Sequence, residues 1–349
     1  MSPIADDASW TWIATVPVAF GASVILTGWF RRYALARDIL DHPNERSSHQ
    51  QATPRGGGVA FVAVILAGLA LAGFAGWMPD TKVSAIGAGG LLVALVGWWD
   101  DRWGLSARWR FLAHLCASGL AAAALGGVGS LSIAGAELPL GWFSVPVAAF
   151  GITYLINITN FMDGIDGIAA SEAVFVFAAT ALLAGGTLRV PAAVASAACA
   201  GFLVWNWPRA RIFMGDAGSG FLGFLMGAFT LYSATVSSDA FWALAILPGT
   251  FFVDASVTLL RRMATGQQWT KAHRSHAYQH AAQRWGHLRV MLTFVSLNLV
   301  WILPLSWLAA RHPRSGAGIL TLSWTPLAAL AIWQRAGSNQ PTGRTGDKS

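Results

Sequence analysis

Charge is scarce in this chain of 349 residues. Asp, Glu, Lys and Arg make up 11% of it, against 55% hydrophobic residues. Soluble globular domains carry roughly a quarter charged residues, so a water-soluble protein is excluded. Cysteine is nearly absent. Cys116 and Cys199 are the only two, and both fall inside apolar runs, which excludes a disulfide framework and a thiolate metal site; both read as small buried hydrophobes. No Pro/Ser-rich linker divides the chain. Residues 1–335 therefore read as a single transmembrane domain and 336–349 (from Ala336) as a short disordered polar tail. There is no internal repeat of the kind found in transporters built from duplicated halves.

What fills the chain instead is a series of apolar blocks, each roughly 17–25 residues long, the length of a helix that spans a bilayer. They cover about 9–30, 57–78, 83–99, 107–126, 142–159, 167–186, 190–205, 217–236, 240–260, 288–310 and 316–334. The reading is an all-α polytopic membrane protein with 10–11 transmembrane helices. Trp10, Trp29, Trp77, Trp98, Trp99, Trp142, Trp301 and Trp333 stand at block ends, as an interfacial aromatic belt requires. Asp6 and Asp7 precede the first block with no basic region, so it reads as an uncleaved span. The segment 127–141 alternates around Ala134-Gly135 and suits a small hairpin.

Basic residues divide the loops into two sets. Nineteen of the 23 Lys and Arg residues fall in 31–56, 100–110, 208–211, 261–289 and 335–349; the remainder are Lys82, Arg189, Arg311 and Arg314. The positive-inside rule places the first set in the cytoplasm, with the N-terminus periplasmic, the C-terminus cytoplasmic and the hairpin outside. Net charge +7 then reflects topology and anionic headgroups. No aromatic-basic patch accompanies it, so nucleic acid is not a partner.

The acidic residues gather on the same side. Asp100 and Asp101 end the third block, Asp163 and Asp166 follow the fifth, Asp216 opens the eighth, and Asp254 lies late in the ninth. A carboxylate at a membrane boundary is costly and marks function by default. Asp100-Asp101 suits a hard divalent cation or a base beside one. Arg108 and Arg110 suit either a lipid phosphate or simple orientation by positive charge. In Asn157-Ile158-Thr159-Asn160-Phe161-Met162-Asp163-Gly164-Ile165-Asp166-Gly167, amide and carboxylate oxygens with two glycines suit Mg²⁺ and close ligand approach. Phe213-Met214-Gly215-Asp216-Ala217-Gly218-Ser219-Gly220 offers backbone donors to a phosphate at a helix start. Asp216 would repel that phosphate unless a cation lay between. Phe213 suits stacking on a base or an interfacial position. His273, Arg274 and His276 suit diphosphate binding or proton handling; a zinc site lacks cysteine and an HExxH pattern.

Together and in this order, the segments resemble the polyprenyl-phosphate N-acetylhexosamine-1-phosphate transferase family, glycosyltransferase family 4. Asp41 to His49 with Thr53 to Gly58 is similar to its first inner loop, Asp100-Asp101 to its DD motif, Asn157–Gly167 to its NxxNxxDGxDG motif, Phe213–Gly220 to its FMGDxGS motif, and His273–His276 to its histidine motif. The wording HRSHAYQH is similar to the bacterial O-antigen and capsule initiators. Gln50 and Gln51 stand where the peptidoglycan branch carries lysine before its Thr-Pro.

The resemblance implies a Mg²⁺-dependent transferase of the bacterial inner membrane, with Mn²⁺ as a substitute and the active site at the cytoplasmic face. It implies a UDP-N-acetylhexosamine donor (GlcNAc, FucNAc or QuiNAc), an undecaprenyl phosphate acceptor, a role in O-antigen or lipopolysaccharide synthesis, and homodimers in some members. Asp216 would be the metal ligand, with Asn160 or Asp163. Asn160, Asp166 and Phe213 would face the uridine and Asn206 would support it. Asp100, with Asp101, would act at the acceptor phosphate, and His273, Arg274 and His276 would hold the diphosphate. The alternatives are a phospho-N-acetylmuramoyl-pentapeptide transferase of the same family and a membrane transporter or channel. If Asp100 is a base, Asp100→Asn should lose less activity at pH 8.5 than at pH 6.5, because a phosphate monoester with a second pKa near 6 is already dianionic there.

Overall fold

In lipid every backbone N–H and C=O must find its partner within the protein, which leaves the helix as the natural form of an apolar block. The structure, a computed structural model, describes residues 8–43, 51–133, 135–236, 238–268 and 273–338. Fourteen helices lie among them: α1 (Ala8–Ala36), α2 (Gly58–Phe74), α3 (Asp80–Trp103), α4 (Ala107–Leu125), α5 (Ser144–Met162), α6 (Ile168–Leu183), α7 (Arg189–Asn206), α8 (Asp216–Val236), α9 (Ser238–Ile246), α10 (Gly249–Ala264), α11 (Ala277–Trp285), α12 (His287–Leu297), α13 (Leu303–Arg311) and α14 (Gly316–Trp333).

Among the described residues, seven helices are long and apolar enough to cross a membrane, or eight if the bent pair 240–264 is one span. The chain is a multi-pass helical membrane protein. The eleven blocks differ from this count for local reasons. Gly58–Phe74 and Ile168–Leu183 are apolar but short. The block 240–260 is broken by 63° where Pro248 and Gly249 interrupt it. The block 288–310 stays continuous through a π-helical turn at Asn298–Ile302. The segment 127–141 does form a hairpin. Ser130–Ile133 (β1) pairs antiparallel with Ala136–Pro139 (β2), Leu131 opposite Leu138, and Gly135 takes φ +83°. Trp29, Trp99, Trp142 and Trp333 are exposed, as a belt requires. Cys199 is buried, but Cys116 is exposed on α4, because an outward face of a membrane helix meets lipid rather than a protein core.

α8 is the central element. Its apolar window is 89% buried, against 17% for α1, and it packs on α2, α3, α4 and α5. Small residues let these backbones close in, as in membrane helix packing generally. A Cβ at Gly97 of α3 would stand 2.4 Å from the Asp216 carbonyl oxygen, and one at Gly58 of α2 would stand 2.5 Å from the Gly218 Cα. One turn beyond Gly97 come Asp100 and Asp101, so this crossing delivers the α3 carboxylates to the start of α8.

Candidate functional site

Asp101 closes the start of α8 from a neighbouring helix. Its carboxylate accepts the backbone N–H of Asp216 at 3.0 Å and of Ala217 at 3.3 Å, two donors that no turn of α8 itself can satisfy. Gly215 makes the turn with φ +77°, and a Cβ there would meet Asp101 Oδ2 at 2.5 Å, so the glycine is required by both backbone and space.

Two arginines bridge the acids. Arg55 Nη2 lies 2.8 Å from Asp101 Oδ1 and 3.0 Å from Asp216 Oδ1. Arg110 Nη1 is paired with Asp100 Oδ2 and lies 3.3 Å from Asp216 Oδ2. The other Asp100 oxygen accepts the Leu105 N–H. Burial works against the Arg55 charge, but Asp101, Asp216 and Asp41 outweigh it and hold its pKa above the usual value. Asp100, Asp101, Asp216 and Arg110, singled out from three separate segments of the sequence, stand together in the structure. Arg55 was legible only as part of the Thr53–Gly58 loop. That loop is tied to the Asp216 segment by Phe213 N–H to Pro54 O at 2.8 Å and Gly57 N–H to Phe213 O at 2.9 Å.

The Asn157–Gly167 segment lines the next side. Asn160 Nδ2 donates to Ser219 Oγ at 3.0 Å, placing it one turn into α8 from Asp216. Asp163 is lifted well above the ordinary carboxylate range, by burial first and then by Asp216, Asp101 and Asp166, against the pull of Arg55. Asp166 behaves in the opposite way. Burial pushes it up, but His287 and the N–H groups of Ala210 and Arg209 outweigh burial and hold it low. Its Oδ2 accepts those N–H groups at 3.2 and 3.0 Å and lies 3.3 Å from His287 Nδ1. Asn206 is a staple: Oδ1 accepts the Gly167 N–H and Nδ2 donates to Ile212 O, both at 3.0 Å. Phe213 is half-buried beside it.

The histidines complete the ring. His276 is buried, its ring 5.1 Å from His273 and 6.5 Å from Phe161. Burial, His276 and Arg262 push His273 down to about 4, so it is neutral at physiological pH. Asp254, which the sequence singled out without a role, holds this segment. It accepts Ala277 N–H and Tyr278 N–H, each at 2.9 Å, and lies 3.5 Å from His276 Nδ1. Tyr278 Oη donates to Phe161 O at 3.0 Å, joining α11 to the end of α5. Ala336 is buried, and the Gly337 N–H reaches Ser275 O at 2.6 Å, so the first residues after α14 pack on the histidine loop. Arg274 is half-exposed and Arg108 exposed; neither joins the carboxylate cluster. Residues Asn44–His49 and Lys271 lie outside the described residues.

Among the described residues no three His, Cys, Asp or Glu side chains are arranged as a ready metal cage. The donor chemistry nevertheless fits a hard divalent cation. Every candidate ligand is a carboxylate or amide oxygen, and the cluster's negative charge already draws in two guanidinium groups.

These features define a multi-pass membrane protein with a polar site of three carboxylates and two guanidinium groups at one end of its central helix. A sequence profile of glycosyl transferase family 4 matches residues 83–234. The chain is 31% identical over 317 residues to a decaprenyl-phosphate N-acetylglucosaminephosphotransferase of Mycolicibacterium smegmatis, covering 78% of this chain and 76% of that one. It is 29% identical to a probable undecaprenyl-phosphate N-acetylglucosaminyl 1-phosphate transferase of Bacillus subtilis (75% and 76% covered). It is 31% identical to a phospho-N-acetylmuramoyl-pentapeptide-transferase of a Synechococcus species (84% and 92%). The chain belongs to glycosyl transferase family 4.

Proposed function

We infer that this chain transfers an N-acetylhexosamine-1-phosphate from its UDP derivative to undecaprenyl phosphate, releasing UMP and starting a lipid-linked glycan such as O-antigen. The observation that carries the reading is the meeting of Asp100, Asp101 and Asp216 with Arg55 and Arg110 beside the Asn157–Gly167 loop. Phosphoryl transfer needs placed charges more than covalent chemistry, and this is such a set. The charge distribution of the loops supports a site at the cytoplasmic face of a bacterial inner membrane, with an eleven-span topology and the N-terminus outside.

An acceptor phosphate oxygen attacks the β-phosphorus of the donor; the bond from that phosphorus to the bridging oxygen breaks, and UMP carries the oxygen away. Arg110, held by Asp100, presents a fork of donors to the acceptor phosphate. Arg55 neutralises charge on the donor side. Asp100 orients Arg110, since both its oxygens are engaged. His276, Arg274 and neutral His273 donate to the diphosphate. Asp216, with Asn160 or Asp163, would hold Mg²⁺, which supplies charge neutralisation to the leaving phosphate when bound.

A second reading is supported by the extent of the Synechococcus match: transfer of phospho-N-acetylmuramoyl-pentapeptide to the same lipid. Gln51 just before Ala52-Thr53-Pro54 argues for the smaller donor. UMP release by purified protein, with undecaprenyl phosphate, Mg²⁺ and a panel of UDP-N-acetyl sugars that includes UDP-N-acetylmuramoyl-pentapeptide, tests both. Turnover that needs lipid and metal and vanishes in Asp216→Ala is the expected result. A folded protein inert to every donor overturns the transferase reading.

A further inference from the structure

A second basic site lies outside the carboxylate cluster, at the junction of α7 with the following loop. Here Leu203, Val204, Trp205, Trp207, Arg209 and Arg211 border a cavity of 580 Å³. Its composition is sorted along the helix. The aliphatic residues sit in the last turns of a membrane-spanning segment; the aromatics come next, and the arginines lie beyond. Val204 is 51% exposed and Trp207 47%, so the apolar part opens sideways rather than into the protein. At the polar end, Arg31 of α1 joins from across the groove. Its Nε donates to Arg211 O at 3.2 Å, and the guanidinium carbons of Arg31 and Arg211 stand 5.9 and 5.8 Å from the Trp205 ring. Trp205 is itself fixed by its Nε1–H to Val24 O at 3.0 Å.

Three positive charges therefore converge on one rim. Among the described residues, no carboxylate lies within salt-bridge distance of Arg31, Arg209 or Arg211. That contrasts with Arg55 and Arg110, each of which bridges two acids. A fixed aromatic, unneutralised guanidinium groups and an apolar trough open to the bilayer are the chemistry that receives an anionic amphiphile. A water-soluble nucleotide has no use for the lateral trough.

We propose that this groove binds the headgroup phosphate of an anionic glycerophospholipid, with an acyl chain laid along Leu203 and Val204. The site shares a leaflet with the carboxylate cluster and touches its support: the N–H groups of Arg209 and Ala210 are the ones that hold Asp166. Occupancy thus braces the loop on which Asp166 depends, at a distance from the reacting groups.

The test is lipid retention by the full chain in detergent, read by native mass spectrometry against mixed phosphatidylglycerol and phosphatidylcholine. The wild type should retain phosphatidylglycerol preferentially. The double substitution Arg31→Gln with Arg211→Gln should weaken that retention roughly tenfold to thirtyfold, at about 1 kcal/mol per arginine near the surface. Arg284→Gln with Arg289→Gln, which removes equal charge elsewhere, should leave it within about twofold. Melting temperature in detergent verifies that both variants are folded. Millimolar inorganic phosphate should not displace the lipid, since it lacks the chain. Equal retention in both double variants, equal retention of the two lipids, displacement by inorganic phosphate, or preferential capture of undecaprenyl phosphate at these arginines would each overturn the proposal.

Discussion

Two of the protein's acidic sites are balanced in different ways. At the start of α8, Asp100, Asp101 and Asp216 are held by Arg55 and Arg110, with Asp216 still 20% exposed at its side chain. Deeper in the bundle, Glu172 of α6 is 2% exposed and touches only neutral groups: Thr250 Oγ1 at 3.1 and 3.2 Å and Asn298 Nδ2 at 2.5 Å. The first cluster holds its charge against guanidinium groups that are 36% and 31% exposed and is suited to trading partners with a metal or a phosphate. The second is sealed and joins α6, α10 and the π-helical turn. A buried ionisable group in a membrane span is a functional candidate by default, but only the first cluster has both charge and access.

If this distinction is right, the two clusters fail differently. Asp216→Ala should lower UMP release by about 10²–10³-fold, the scale on which removal of an aligned electrostatic group acts, while the melting temperature changes little because Arg55 keeps Asp101 and Arg110 keeps Asp100. Turnover within tenfold of wild type would dissolve the first half of the comparison.

The second half is tested by Glu172→Ala, which leaves Asn298 Nδ2 without its acceptor and Thr250 Oγ1 with Asn298 Oδ1 alone. Stability should fall by about 1–3 kcal/mol, the cost of orphaned buried polar groups, with kcat of the surviving folded protein near wild type. Glu172→Gln should restore most of the stability. Should kcat collapse in Glu172→Gln with the fold intact, Glu172 belongs to the chemistry after all.

The first cluster was legible in the sequence and the second was not, for a physical reason. Asp100, Asp101, Asp163 and Asp216 interrupt apolar runs at their ends, where a charge is conspicuous. Glu172 sits within a run and is recognised only once α10 and the turn at Asn298 supply its partners. Arg55 and Asp254 fall between. Both stood in the sequence as charges on the expected face, but pairing Arg55 with Asp216 across 161 positions, or seeing Asp254 cap α11, needs the packing that Gly58 and Gly97 permit. Individual spans were read well as apolar blocks. The bend at 240–264 and the shortness of α2 and α6 were not, because periodicity does not register where a helix breaks once both halves are apolar.

A finer division lies inside the first cluster, between holding and proton transfer. Both Asp100 oxygens are engaged, by Leu105 N–H and Arg110, which commits the carboxylate to holding these two donors. Asp100→Asn should therefore lose roughly 10–100-fold by misplacing Arg110, and by the same factor at pH 6.5 and pH 8.5. A loss that shrinks at pH 8.5, where the acceptor phosphate is fully dianionic, would return Asp100 to the role of base.

The smallest effect concerns His273, a cationic candidate that burial keeps neutral beside an otherwise charged site. Its pKa falls from the ordinary 6.5 to about 4, so between those values the unfolded chain binds the proton that the folded chain refuses. Stability contributed by this group is full above about pH 6.5 and is lost as pH falls toward 4. His273→Gln should flatten the acid side of the stability curve, raising the melting temperature at pH 5 relative to wild type by about 2–4 °C while leaving pH 8 within about a degree once any loss of the Ser275 contact is subtracted. An identical acid slope in wild type and variant would mean that His273 meets the solvent proton freely. The neutral, hydrogen-bonding role beside His276 would then give way to that of an imidazolium in the histidine loop.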